Sequence, residues 1–302
     1  MTTPLLLTAA MVLVPTADTS RLDSQALAAQ PAGSLSILDT AASTGRFDTL
    51  AAALTAADLV TTLSGPGPFT VFAPTDEAFA KLPPQRLAFL LQPENVDYLK
   101  TVLTYHVVDG NLDSTQVLGS PFLTTLSGQR ADVDAQNLTI DGAAIAATDI
   151  VCNNGIIHVI DNVMLPELRT ITQLTAMDDN FSTLNTALGI AGLDDDLDGP
   201  GPFTVFAPTN QAFNALPPGV LDSLINDPAA LSNVLLFHAT SGRQYADQVV
   251  NATGFTMLNN ANTTITVNQS GVFIEGSQIL VTDIETWNGV VHVIDAVLVP
   301  GP

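Results

Sequence analysis

With 302 residues, 46% of them apolar, the chain can bury more than one core, and its formal charge of −22 sets 30 acids against only 8 Lys and Arg. That balance argues against nucleic acid and anionic membrane surfaces as partners, since phosphate repels it; the acidity reads as solubility in a salty or calcium-containing medium. The single cysteine, Cys152, excludes an intrachain disulfide and a thiolate zinc site and reads as an incidental thiol.

In chain order, the apolar stretch Leu5 to Val14 is too short to span a bilayer as a helix and looks like the core of a secretion signal, although a basic start is missing. Small residues for cleavage occur around Ala17 and at Ala26-Leu27-Ala28, and Gln25 to Ser34 reads as a linker, so residues 1–31 are expected to be signal segment and linker.

The rest says the same thing twice. Gly65-Pro66-Gly67-Pro68-Phe69-Thr70-Val71-Phe72-Ala73-Pro74-Thr75 returns from Gly199 to Thr209, and Asn154-Gly155-Ile156-Ile157-His158-Val159-Ile160-Asp161 returns as Asn288-Gly289-Val290-Val291-His292-Val293-Ile294-Asp295, both 134 residues on. That period is too long for a solenoid and suits an independently folding unit. Two tandem domains are expected, over 32–167 and 168–302, joined through the short Glu167-Leu168-Arg169.

Each copy opens with helical spacing: Phe47, Leu50, Ala51 and Leu54 in the first, and Phe181, Leu184 and Leu188 in the second. Gly-Pro-Gly-Pro then reads as a turn, because its prolines lack the N–H groups that a phosphate loop needs. Phe-Thr-Val-Phe-Ala reads as a strand stopped by Pro74 or Pro208, after which Thr75 and Thr209 can cap a helix. Pro93 and Asp227-Pro228 announce another helix, whose spacing puts His106 and His238 on the buried face, with Gly110 and Gly242 beyond as helix stops or turns. Strands are expected over 138–142 and 264–267, and the closing Gly-Ile-Ile-His-Val-Ile and Gly-Val-Val-His-Val-Ile strands should be central. Helices precede strands rather than alternating with them, which predicts an α+β fold.

No His-Glu-x-x-His, nucleophile elbow, Walker loop or paired Cys occurs. His158 and Asp161, three apart in an extended segment, face opposite ways and cannot form a dyad; the same holds for His292 and Asp295. The four histidines therefore read as packing elements, and no catalytic residue or cofactor is expected. Asp194, Asp196, Asp198 and Gly199 start like a calcium loop, but Val205 stands where the bidentate Glu would be, so a solvated acidic turn is weighed against weak calcium binding.

At Phe-Thr-Val-Phe-Ala-Pro-Thr, Tyr105-His106 and Asn-Gly-x-x-His-Val-Ile-Asp the chain resembles the fasciclin-domain family, twice and in order, from about residue 33 to 302. The resemblance implies two β-wedge or sandwich modules flanked by helices, in a secreted or surface-anchored adhesion protein. Its Tyr-His motif falls on Tyr105-His106 and, without the phenol, on Phe237-His238. The Asp-Ile element linked to integrin recognition in animal members falls on Asp149-Ile150 and Asp283-Ile284, where the neighbouring motif residues are absent and the dipeptides read as strand starts. The expected partner is an extracellular protein or polysaccharide, with self-association possible; the alternative is a carrier of a small hydrophobic ligand, lipid or pigment, in a cleft between helices and sheet. Asn137, Asn180, Asn251, Asn262 and Asn268 are sequons that matter on a eukaryotic secretory route.

Overall fold

The structure, a computed structural model, describes residues 33–301, so the expected signal segment lies outside the described residues. The first unit begins with α1 (Ile37–Thr44), whose N-cap Ser36 accepts from the Asp39 N–H, followed by α2 (Asp48–Ala56) and α3 (Val60–Leu63). Helix α1 lies ahead of the helical spacing expected from Phe47, and of its residues only Ile37 is buried. In α2 the buried set is Leu50, Ala53 and Leu54; Ala51, expected inside, is exposed, one position off the inward stripe.

The Gly-Pro-Gly-Pro turn leads into β1 (Phe69–Pro74). Gly67 has φ +61°, and a Cβ there would lie 2.2 Å from the Asn154 carbonyl oxygen, so the sharp turn against the partner strand demands glycine. Helices α4 (Asp76–Ala80), capped by Thr75 as expected, and α5 (Pro84–Leu90) follow, and a 3-10 turn at Pro93–Asn95 leads into α6 (Val96–Tyr105). Gly110 closes the short β2 (Val107–Asp109) with φ +103° rather than stopping the helix. Then come α7 (Ser114–Leu118), β3 (Phe122–Thr124), β4 (Arg130–Asp134), β5 (Thr139–Ile140), β6 (Ala143–Cys152) and β7 (Gly155–Ile160).

The strands form one sheet in the order β2-β1-β7-β6-β5-β4-β3, with β7 central and parallel to β1. Both faces are covered, which explains the near-continuous apolar run of β1 and β7. Val71, Ala73, Ile157 and Val159 face the helices α1, α2 and α6, while Phe72 and Ile160 face a second cluster with Val108, Leu123 and Ile140.

The second unit repeats this plan with α8 (Ile171–Ala176), α9 (Ser182–Ala191), α10 (Asp194–Asp198), β8 (Phe203–Pro208), α11 (Asn210–Asn214), α12 (Val220–Ile225), α13 (Pro228–Leu236), β9 (Ala239–Ser241) and α14 (Ala246–Val249). Strands β10 (Ile265–Asn268), β11 (Gly271–Ile274), β12 (Ser277–Thr286) and β13 (Gly289–Ile294) complete it. Its sheet runs β10-β11-β12-β13-β8-β9; where the first unit has the β3–β4 pair, the described residues show one bridge between Thr256 and Asn262. Each fold is pinned by a buried asparagine. Asn154 Oδ1 accepts from the Ile37 N–H and its amide donates to the Leu63 and Gly65 carbonyls; Asn288 does the same to Ile171, Leu197 and Gly199.

Candidate functional site

All four histidines are buried, and both nitrogens of every ring are engaged by backbone. His106 Nδ1–H donates to the Val102 carbonyl at 2.7 Å and Nε2 accepts from the Met164 N–H at 3.0 Å; His238 repeats this with Val234 and Leu298. Desolvation pushes both imidazoles down to about 4, so they stay neutral. His158 and His292 use the opposite tautomer: Nε2–H donates to Leu112 or Gln244 carbonyl oxygen, and Nδ1 accepts from the Asp149 or Asp283 N–H at 3.3 Å. These rings staple the sheets internally and leave no nitrogen for a substrate.

The Asp-Ile dipeptides are not strand starts. Asp149 and Asp283 lie within β6 and β12, at register shifts, with φ of 61° and 60°. The irregular backbone aims their N–H groups at the histidines, and the carboxylates brace the following layer: Asp149 accepts from the Ser114 N–H and hydroxyl, Asp283 from the Ala246 N–H. Ile150 and Ile284 pack against the two cores. The expected acidic turn at Asp194–Asp198 is instead helix α10, in which alternate side chains diverge. Asp198 accepts from the Thr170 and Thr172 hydroxyls, and among the described residues no three acidic, His or Cys groups are gathered for a metal ion.

What the structure does bring together lies between the two units. Arg130 at the start of β4 extends its guanidinium between the rings of Phe122 and Tyr245, 3.8 Å from each centroid, and pairs with Asp247 at 2.8 Å. Its backbone N–H donates to Glu285 Oε1 at 2.8 Å, and the Tyr245 hydroxyl donates to the same oxygen at 2.6 Å; burial pushes the Glu285 carboxyl up. Trp287 Nε1–H donates to the Thr101 hydroxyl at 3.0 Å, and its ring lies 6.0 Å from that of Tyr98. The connection is tied down as well, with the Gln129 amide bracketing the Glu167 backbone and the Trp287 N–H donating to the Arg169 carbonyl. Tyr105 donates to the Arg130 carbonyl at 2.9 Å, so all three tyrosines and the one tryptophan of the chain meet at this junction. Phe237, at the matching place in the second copy, is buried in that module's core without a hydroxyl.

Reasoning from sequence missed this junction, although a signal was present in the differences between the copies. Leu112 and Gln244 occupy matching places, each taking the proton of a sheet histidine and each N–H donating to Thr70 or Thr204. The flanking Asn111 and Asp113 therefore correspond to Arg243 and Tyr245. Counting likewise from Asn154 and Asn288, Val151 and Asn153 correspond to Glu285 and Trp287. The large polar and aromatic residues appear only in the copy that uses them.

Two cavities accompany this framework. One, of about 460 Å³, opens at the junction among Thr101, Ser127, Arg130, Arg243, Gln248 and Trp287. The other, of about 270 Å³, lies within the first unit between α1, α2 and β1, lined by Ile37, Leu50, Leu54, Leu63, Val71 and Leu103.

Two α+β modules of the same construction make the chain a tandem repeat of one domain type. The fasciclin domain family model matches residues 45–166 and 179–300, and the chain belongs to the fasciclin-domain family. It is 32% identical over 246 residues, 79% of its length, to transforming growth factor-beta-induced protein ig-h3 of Sus scrofa, and spans 35% of that relative. Protein sll1483 of Synechocystis is 41% identical over 163 residues, 53% of this chain and 88% of that protein. A solved domain pair, described as a FAS1 pair from the insect cell adhesion molecule fasciclin I, aligns with a TM-score of 0.42 and 16% identity over 82% of this chain and 92% of that one.

Proposed function

We propose that the chain is a secreted or cell-surface adhesion protein whose two fasciclin modules engage an extracellular protein or polysaccharide without catalysis. The observation that carries this reading is the junction: Arg130, Tyr245, Glu285 and Trp287 hold two modules at a set spacing, which is what linked weak contacts require to gain avidity. The saturated histidines support a packing role for the side chains most suited to acid–base work. Capture of native surface material by the intact chain tests the reading, with Trp287→Ala as the comparison. Stronger capture by the wild type supports it; no capture by either contradicts it.

The apolar cavity of the first module supports a second reading, carriage of a small hydrophobic ligand. Solvent extraction of protein purified from its native source, followed by mass spectrometry, tests this one. A stoichiometric lipid or pigment supports carriage, and a clean extract opposes it.

A further inference from the structure

The cleft at the junction is lined by two guanidinium groups, Arg130 and Arg243. Arg243 reaches past Gly128 of the first module and donates to the Thr286, Trp287 and Gly289 carbonyls, yet among the described residues no carboxylate forms an ion pair with it. Arg130, locked between two rings, spends one edge on Asp247, while its Nε–H is buried with no hydrogen-bond partner. Glu285 lies close enough to offset part of the Arg243 charge but makes no direct ion pair with it, and the buried Arg130 N–H without a partner is costly. The two guanidinium groups stand out in a chain with eight basic residues against thirty acids. The rest of the lining is neutral: the Thr101, Thr124 and Ser127 hydroxyls, the Gln248 amide, and an apolar rim of Trp287, Pro200, Pro202 and Leu126.

We propose that this cleft binds an acidic saccharide, a uronic acid residue of a polysaccharide, with the carboxylate held by Arg243 and Arg130, the hydroxyls by Thr101, Ser127 and Gln248, and an apolar sugar face on Trp287. A guanidinium fork matches a carboxylate in geometry, and a cleft of about 460 Å³ admits one to two sugar rings. The site exists only while the modules are docked, because Thr101, Ser127 and Arg130 come from one and Arg243, Gln248 and Trp287 from the other. This names a ligand for the adhesive reading, on which its biological role rests; binding itself does not depend on that reading.

Trp287 is the only tryptophan, so its emission reports the cleft directly. The full chain is titrated with trigalacturonate and with a neutral trisaccharide of equal length, and both titrations are repeated by calorimetry. The expected result is saturable binding of the uronate, at least tenfold weaker binding of the neutral sugar, and at least a tenfold loss in Thr124→Glu. That variant places a negative charge at the exposed rim and should leave the unliganded emission unchanged. Absence of binding by both methods, equal affinity for the neutral sugar, or undiminished binding by a folded Thr124→Glu chain would overturn the proposal. Capture of native surface material is scored separately: a chain that captures it but ignores uronate loses only this site, and one that binds uronate but captures nothing loses only the adhesive reading.

Discussion

Arg130 of the first module is clasped by Tyr245 of the second, guanidinium over ring at 3.8 Å, while Phe122 covers its other face at the same distance. Each desolvated cation–ring contact is worth about 1 kcal/mol or more, whereas the Asp247 pair, more than half exposed on the acid side, adds little. Only the Tyr245 contact crosses the junction, so Arg130→Ala should cost about 1 kcal/mol of coupling between the modules and raise acrylamide quenching of Trp287. Unchanged quenching in a folded variant would show that the clasp does not hold the junction closed.

Acid should loosen the protein through its buried imidazoles. His106 and His238 have a folded value of about 4 against an ordinary 6.5, so below 6.5 the unfolded chain takes up protons that the folded chain refuses. Their contribution is complete above pH 6.5 and falls away as pH drops to about 4, by about 3 kcal/mol per histidine. Glu285, pushed up by burial, acts in the opposite sense. Urea midpoints from pH 7.5 to 4.5 should decline in the wild type and decline less steeply in His106→Gln; a flat wild-type profile would refute this.

Asn154→Ala and Asn288→Ala each remove three hydrogen bonds, two of them fully buried, at the start of one module. A loss of about 2–4 kcal/mol is expected from the backbone groups left unsatisfied. Calorimetric unfolding should show the first substitution weakening the first module and the second the other, and near-native melting in either would mean that water replaces the amide.

Calcium should leave the melting temperature unchanged, because α10 turns Asp196 away from Asp194 and Asp198, and Asp198 is occupied by Thr170 and Thr172. A rise of several degrees on adding millimolar calcium, abolished by Asp196→Asn, would show that the acidic helix rearranges around the ion.

The repeat made the α+β plan and the central closing strands legible, since Phe69–Pro74 and Gly155–Ile160 carry an apolar signature that two buried faces impose. The inward histidines were legible from helical spacing. The bulges at Asp149 and Asp283 were not, because an extra residue in a long strand leaves no compositional mark and shows only when His158 and His292 are seen to need a backbone donor. Helix α10 was misread because alternating acids look like a loop, whereas Leu197 anchors the segment in the core. The junction escaped because reading by similarity discards Arg243, Tyr245, Glu285 and Trp287, the positions at which the copies differ.

Residual dipolar couplings, fitted separately for residues 45–160 and 179–294 of the full chain, test the locked pair most directly. A shared alignment tensor, lost in the Trp287→Ala variant, is the predicted result. Tensors that already differ in magnitude in the wild type would mean that the modules move independently and that the junction, with its cleft, does not persist in solution.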